Sequence, residues 1–295
     1  MLEGRIIKAL AGYYYVLDQN RNVWQCRARG VFKKKGLQPL VGDVVHFEPV
    51  SDHEGWVTQL IDRKNQLVRP PIANVDQALL VFSVKEPSFS PYLLDRMLVS
   101  VEKEHIRPLI CFTKLDLSGD KDDIVDEISV YQKMGYPVCQ TSSKTGEGME
   151  EVLTLLRGKI TVLAGQSGVG KSTLLNQLCP QAQLETGTIS DKLGRGRHTT
   201  RHVELLELPG GGLVADTPGF SQLDFSAIEP EDLGTYFIEI RAHMDACKFR
   251  GCLHHNEPGC AVKRAVEQGE IDSRRYAHYV QFLKEIEANQ YRKRY

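Results

Sequence analysis

Over its first seventy residues the chain alternates apolar and polar positions in short runs, at 4–9, 13–17, 23–28, 44–48 and 55–61, with no long helical period. Turn-forming groups separate the runs: Asp18-Gln19-Asn20, Gly42-Asp43 and Asp52-His53-Glu54-Gly55. Five short strands in that length suit a small barrel of the OB type. Arg69-Pro70-Pro71 then stiffens the chain, and the period changes. Apolar runs at 75–84, 108–112, 136–140, 160–164, 203–208 and 213–215 read as strands, and helical patterns lie between them at 91–104, 120–134, 148–156 and from 172 onward. This alternation predicts an α/β unit with a mostly parallel sheet. The remainder holds only short helical patterns, at 231–240, 261–268 and 273–289. The expected organisation is multidomain: an N-terminal OB-type β-barrel (1–70), a central α/β domain (71–225) and a C-terminal mostly helical domain (226–295).

Composition narrows this little. At 295 residues, net charge −1 and 25% charged residues, the chain has an ordinary soluble globular composition. No apolar run approaches the roughly 20 residues needed to span a bilayer, and the start, Met1-Leu2-Glu3-Gly4-Arg5, lacks the apolar core of a signal peptide. The expectation is a cytoplasmic protein with no membrane partner. Cysteine usage is more telling. Of seven cysteines, Cys247, Cys252 and Cys260 crowd one stretch, while Cys26, Cys111, Cys139 and Cys179 sit among apolar residues. In a reducing compartment that split predicts one metal site plus inert core thiols. The cluster reads Cys-x4-Cys-x-His-x5-Cys, with His254 and His255 adjacent, so the spacing allows either imidazole. Three thiolates and one imidazole make a closed tetrahedral shell for a structural Zn²⁺.

Chemistry concentrates in the middle unit. Gly165-Gln166-Ser167-Gly168-Val169-Gly170-Lys171-Ser172 follows the strand pattern 160–164 and opens a helix. That is the strand–loop–helix context of a P-loop, whose glycines let backbone N–H groups converge on phosphate. Lys171 would reach the β- and γ-phosphates and Ser172 would hold Mg²⁺, so the nucleotide-binding set runs from Gly165 to Thr173. Two further loops follow strand patterns, Thr113-Lys114-Leu115-Asp116 and Thr141-Ser142-Ser143-Lys144. In a parallel sheet such strand ends share one rim. There Asp116 would accept hydrogen bonds from guanine N1 and N2, which adenine cannot supply. The stem of Lys114 would lie along the base, and the Ser142/Ser143 backbone would meet the guanine oxygen. Asp216-Thr217-Pro218-Gly219 adds an aspartate on the Mg²⁺ side and, at Gly219, a γ-phosphate sensor. Between lies 187–201, in which Thr199 or Thr200, with Thr200 taken as the ligand, would complete the Mg²⁺ shell. These motifs together select GTP.

The order TKLD, TSSK, P-loop, switch threonine, DTPG is rotated relative to ordinary translation-factor-type GTPases. With Cys247, Cys252, His254 and Cys260, it closely resembles the circularly permuted GTPases of the ribosome small subunit-dependent GTPase A family, over nearly the whole chain. The resemblance picks His254 as the fourth metal ligand. It implies a GTP hydrolase that binds the small (30S) ribosomal subunit and its 16S rRNA. It further implies a role in late maturation, with hydrolysis stimulated by the subunit and coupled to release. A monomer is expected. Phe220 follows Gly219 where many regulatory GTPases carry a water-orienting glutamine. Slow intrinsic turnover should follow, and His198 in the switch segment is the substitute that the resemblance supports. Phe220 also keeps open a competing reading, a GTP-gated RNA-binding protein with negligible turnover. A nucleotide kinase is disfavoured, because no second-substrate site is apparent.

RNA contact is expected at both ends. In the barrel the candidates are Tyr13, Tyr14, Tyr15, Trp24 and Phe32 for stacking, and Arg27, Arg29 and Lys33-Lys34-Lys35 for phosphate. In the C-terminal region they are Lys248, Arg250, Lys263, Arg264, Arg274, Arg275 and the tail 291–295. Each of these residues taken alone also fits a core position or a solvated face.

Overall fold

The computed structural model describes the chain apart from residues 31, 33–35, 69, 118–121, 181–202, 217–224 and 295, and apart from the side chains of 122, 123, 216, 293 and 294. His198, Thr199, Thr200, Gly219, Phe220 and Lys33–Lys35 therefore lie outside the described residues, as does the side chain of Asp216.

Five strands, β1 (Leu2–Leu10), β2 (Tyr13–Asp18), β3 (Val23–Ala28), β4 (Val44–Ser51) and β5 (Glu54–Leu60), close into a barrel in the order β1-β2-β3-β5-β4. Alternate residues point inward, so Ile6, Val16, Cys26, Val45, Phe47 and Val57 form a buried interior. Phe32 belongs to this core, and Trp24 packs on Phe47 while donating to Asp18 (2.9 Å). These two aromatics serve packing rather than an open stacking face. The outward Trp56, 38% exposed, was not among the expected aromatics.

Two short strands, β6 (Gln66–Leu67) and β7 (Ile72–Ala73), pair with each other and lead into the sheet. There follow β8 (Gln77–Ser83), α1 (Pro91–Lys103), β9 (Arg107–Thr113), α2 (Asp122–Lys133), β10 (Val138–Gln140), α3 (Met149–Leu156), β11 (Ile160–Ala164), α4 (Lys171–Leu178), β12 (Leu206–Glu207) and β13 (Leu213–Asp216). The sheet order is β10-β9-β8-β11-β13-β12, parallel except for the antiparallel edge β12. Its strands are apolar on both faces because both faces are covered. Ala78, Leu80 and Phe82 join one core with α1, α2 and the barrel, while Leu79 and Val81 join another with α3 and α4. The expected strand 203–208 is shorter, because its first half leaves the sheet. Leu205 N–H donates to Ile7 C=O of the barrel (2.8 Å), and Lys8 pairs with Glu204 (2.9 Å).

The C-terminal region contains α5 (Ile238–Met244), α6 (Ala261–Glu267) and α7 (Ser273–Arg294) around Phe225, Phe237, Tyr279 and Phe282. The helix expected at 231–240 is instead a 3-10 turn, Leu233–Tyr236, followed by α5. Phe237 takes extended dihedrals (φ −110, ψ 109) and interrupts the spiral so that its ring enters the core. Among the described residues, no helix is long and apolar enough to cross a membrane.

Candidate nucleotide site and metal centre

The parallel strands β8, β9, β10, β11 and β13 all end on one rim. Register places Ala164 beside Leu80, Leu163 beside Asp216, Ser83 beside Thr113 and Gln140 beside Phe112. Segments far apart in the chain, starting at Thr113, Thr141 and Gly165, thereby converge with the end of β13. Rotating the order in which the chain visits these strands leaves the rim intact.

The P-loop turns at Gly165, where φ is +153° and a Cβ would come within 2.3 Å of the Val81 carbonyl oxygen. It ends at Gly170 (φ +97°), which caps α4 without a side chain. Leu174, Leu175 and Leu178 anchor that helix by burial, so its N-terminal end, with the positive end of the helix dipole, faces the rim. Lys171 Nζ donates to the carbonyls of Gly165 (2.9 Å) and Gln166 (2.7 Å), which keeps the cation over the loop. An anion is the complementary occupant.

The neighbouring loops are tied to this cradle. The buried Thr113 hydroxyl lies 2.5 Å from the Val169 carbonyl oxygen and 3.1 Å from that of Phe82. Its single proton joins the base-side loop to the P-loop. Lys114 Nζ donates to the Glu86 carbonyl. Asp116, in the 3-10 turn Leu115–Leu117, accepts from Ser142 Oγ at 2.6 Å. Ser142 Oγ in turn accepts from the N–H groups of Lys144 and Thr145, both at 3.2 Å. The Ser143 carbonyl accepts from Gln177 on α4. The pairs Asp116–Ser142 and Ser143–Gln177 were beyond reach of the sequence, because neither spacing is local. What the motif did show was that Thr113, Lys114 and Asp116 share a turn.

The predicted metal ligands also converge. Ligand atoms of Cys247, Cys252, His254 and Cys260 all lie within 4.8 Å of one another. His254 Nδ1 sits 3.5 Å from both Cys247 Sγ and Cys260 Sγ, which are 3.9 Å apart. A tetrahedral Zn²⁺ with ordinary bond lengths needs ligand pairs about 3.5–3.8 Å apart, so Cys247, His254 and Cys260 are already spaced for that ion, and Cys252 lies close enough to complete the set. His255 stays outside the cluster. Burial raises the Cys252 thiol to about 12 and lowers the His254 imidazole. The pocket therefore favours neutral ligands until a cation converts the thiols to thiolates. Glu257 accepts from Leu253 N–H (2.7 Å) and His255 N–H (3.0 Å), and Tyr276 and Tyr279 donate to the carbonyls of His254 (2.7 Å) and Leu253 (2.8 Å). Together these bonds fix the turn that presents His254.

The basic residues behave unequally. Arg275, expected to reach RNA phosphate, is 2% exposed and locked between Asp95 and Glu239. A guanidinium so enclosed is not available to an outside anion. Arg274 pairs with Glu127 at 2.5 Å on the surface.

Known proteins resemble this chain over nearly its whole length. The RsgA GTPase family model matches residues 60–226, and the model of the RsgA N-terminal domain matches residues 3–57. The small ribosomal subunit biogenesis GTPase RsgA of Geobacillus kaustophilus is 57% identical over 288 residues, covering 97% of this chain and 98% of that protein. Its Bacillus subtilis counterpart is 54% identical, with the same coverage. Among solved structures, YloQ, described as a circularly permuted GTPase, superposes with a TM-score of 0.86 at 50% identity, over 98% of this chain and 96% of that one. YjeQ from Thermotoga maritima gives the same score at 39% identity, over 97% and 98%. Both family models match, and relatives this similar run nearly end to end with the chain, so the chain is a GTP hydrolase that belongs to the RsgA GTPase family.

Proposed function

We propose that this GTPase binds the small ribosomal subunit, assists its late maturation, and is stimulated by the subunit to hydrolyse GTP and leave. The relatives carrying 54–57% identity are named for small-subunit biogenesis, which supports that target. The observation that carries the guanine reading is Asp116, held by Ser142 on the same rim as the P-loop. Guanine would be read by Asp116, with Lys114, Ser142 and Ser143 around it, and Thr113 would brace that side. The phosphates would lie on Gly165 to Thr173, with Mg²⁺ on Ser172, Asp216 and Thr200. Gly219 would sense the γ-phosphate and, because the chain runs directly on from it, reposition the C-terminal region. His198 would orient the attacking water in place of the glutamine that Phe220 replaces.

The cluster of Cys247, Cys252, His254 and Cys260 would hold one structural Zn²⁺, a closed shell that binds no substrate. Units at 1–70, 71–225 and 226–295 would divide the work, with the outer two meeting 16S rRNA. The protein would act as a cytoplasmic monomer. The test is steady-state GTP turnover with and without small subunits, for wild type and His198→Ala. Subunits should raise turnover by orders of magnitude, as activators do for other GTPases. No stimulation would discard the subunit-coupled reading, and a fully active His198→Ala would remove the catalytic role of that residue.

A further inference from the structure

Helix α1 packs into two cores. Leu94, Met97, Leu98 and Val101 face the sheet, whereas Val99 joins the C-terminal core. Asp95 lies between, fully buried. Its carboxylate meets three groups from other elements: Arg275 Nη1 at 2.5 Å, His278 Nδ1 at 2.5 Å and Tyr131 Oη at 2.9 Å. Arg275 also makes a two-point contact with Glu239 of α5, at 2.7 and 3.0 Å. Burial by itself would lower the pKa of this guanidinium, but Asp95 and Glu239 outweigh it and hold the group well above its ordinary value. One residue on, Arg96 grips Glu285 of α7 with both nitrogens, at 2.6 and 2.7 Å, and stacks 4.2 Å from the Phe225 ring. Apolar side chains would fill such a junction in many orientations. A buried fork-to-carboxylate pair accepts few.

The other end of α1 leads to the nucleotide rim. Its approach, residues 84–90, bonds to the base-side loop twice: Val84 N–H donates to the Thr113 carbonyl (3.1 Å), and Lys114 Nζ reaches the Glu86 carbonyl. Pro87 Cδ lies 3.9 Å from where a side chain on Gly168 would project. Ser90 Oγ then accepts from Leu93 N–H (3.3 Å), and Pro91 opens the helix, so the loop is joined stiffly to it. One short, capped segment therefore bonds at one end to the base-side loop, which Thr113 ties to the P-loop, and pins α7 at the other.

We propose that α1 is the strut through which the nucleotide cradle and the C-terminal region sense each other, with Asp95 and Arg275 as the positioning pair that makes them move as one body. The inference rests on the reading that nucleotide occupies the P-loop rim. It supplies a route distinct from the direct chain connection through Gly219. Coupling of this kind is reciprocal, so a loosened junction uncouples the two ends without emptying either.

Hydrogen exchange on the full-length, zinc-loaded protein tests this, without nucleotide, with GDP and with a non-hydrolysable GTP analogue. In wild type, nucleotide should slow exchange over 165–172 and, by about fivefold or more, over 273–286. In Asp95→Asn the slowing at 165–172 should persist and that at 273–286 should disappear. Glu285→Gln, at the partly exposed pair, should weaken the distal response while leaving the fold intact, and it keeps the test open should Asp95→Asn unfold. A distal response that survives in a folded Asp95→Asn, or is undiminished in Glu285→Gln, overturns the strut and favours the route through Gly219. No protection at 165–172 in wild type would overturn the nucleotide site itself, and the strut with it.

Discussion

The nucleotide rim and the cysteine knuckle differ in what holds each together before any ligand arrives. The rim presents mostly backbone donors, on a loop strung between a strand whose five residues are all buried and a helix anchored by three leucines. The knuckle presents four side chains from one short stretch, flanked by helices of only seven residues each. Helices of that length do not persist alone. The rim is thus prepared by the sheet for its ligand, whereas the knuckle would be completed by the ion proposed for it. Two sites in one chain can be equally well formed in structure and yet rest on very different amounts of packed scaffold.

The sharpest way to break that contrast is to remove the metal. Chelation, or Cys252→Ala, should release most of the roughly 10 kcal/mol or more that a structural Zn²⁺ contributes. Residues 247–267 should exchange freely in hydrogen-exchange measurements, while GDP affinity at the rim changes by less than about tenfold. If GDP binding collapsed with the knuckle, the two sites would not be independently built.

A smaller effect should come from the rim. Asp116→Ala removes the acceptor proposed for guanine and leaves Ser142 Oγ without its 2.6 Å partner. A loss of about 2–3 kcal/mol in GDP affinity is expected, with the preference for guanine over adenine nucleotides largely erased and the zinc content unchanged. Isothermal titration with GDP and ADP reads this directly. An intact preference would mean that guanine is selected elsewhere.

The smallest expected effect tests the knuckle's own scaffold. Burial pushes the Glu257 carboxyl up, but N–H groups of Leu253, His255 and Asn256 outweigh it and hold the pKa below the usual 4.5. A depressed carboxyl stabilises the fold above its unfolded pKa and loses that contribution as pH falls through the folded value. Glu257→Gln should therefore cost about 0.5–1 kcal/mol at neutral pH after solvent screening. The gap from wild type should close below the usual glutamate range. Thermal unfolding of both proteins at several pH values would show it, and a gap that widened on acidification would reverse the assignment.

Legibility from the sequence followed the range of the interactions. The strand Ile160–Ala164 and its loop are local objects: an apolar run, a glycine turn and an amphipathic start, all within one stretch. The cysteine spacing is equally local, although choosing His254 over His255 required the resemblance, and in the structure it follows from how Glu257 and two tyrosines hold the turn. The misreadings were long-range. Arg275 looks like one more surface cation until Asp95, far away in the chain, is placed against it. The strand 203–208 loses its first half because the barrel competes for Leu205. The 231–240 helix breaks because Phe237 is needed in a core assembled from α5, α7 and α1.

By itself the sequence determined the closed barrel, the α/β alternation, the glycine loop after β11 and the close spacing of three cysteines and a histidine. Each of these depends on the period of side chains along a few residues or on the backbone freedom of particular glycines. Only the tertiary structure decided which strands lie side by side beneath the shared rim, because parallel register and not chain order sets their neighbours. It also decided that Asp95 and Arg275 are buried partners. A charge can leave water only where its counter-charge is delivered to it, and that delivery depends on how α1 and α7 pack.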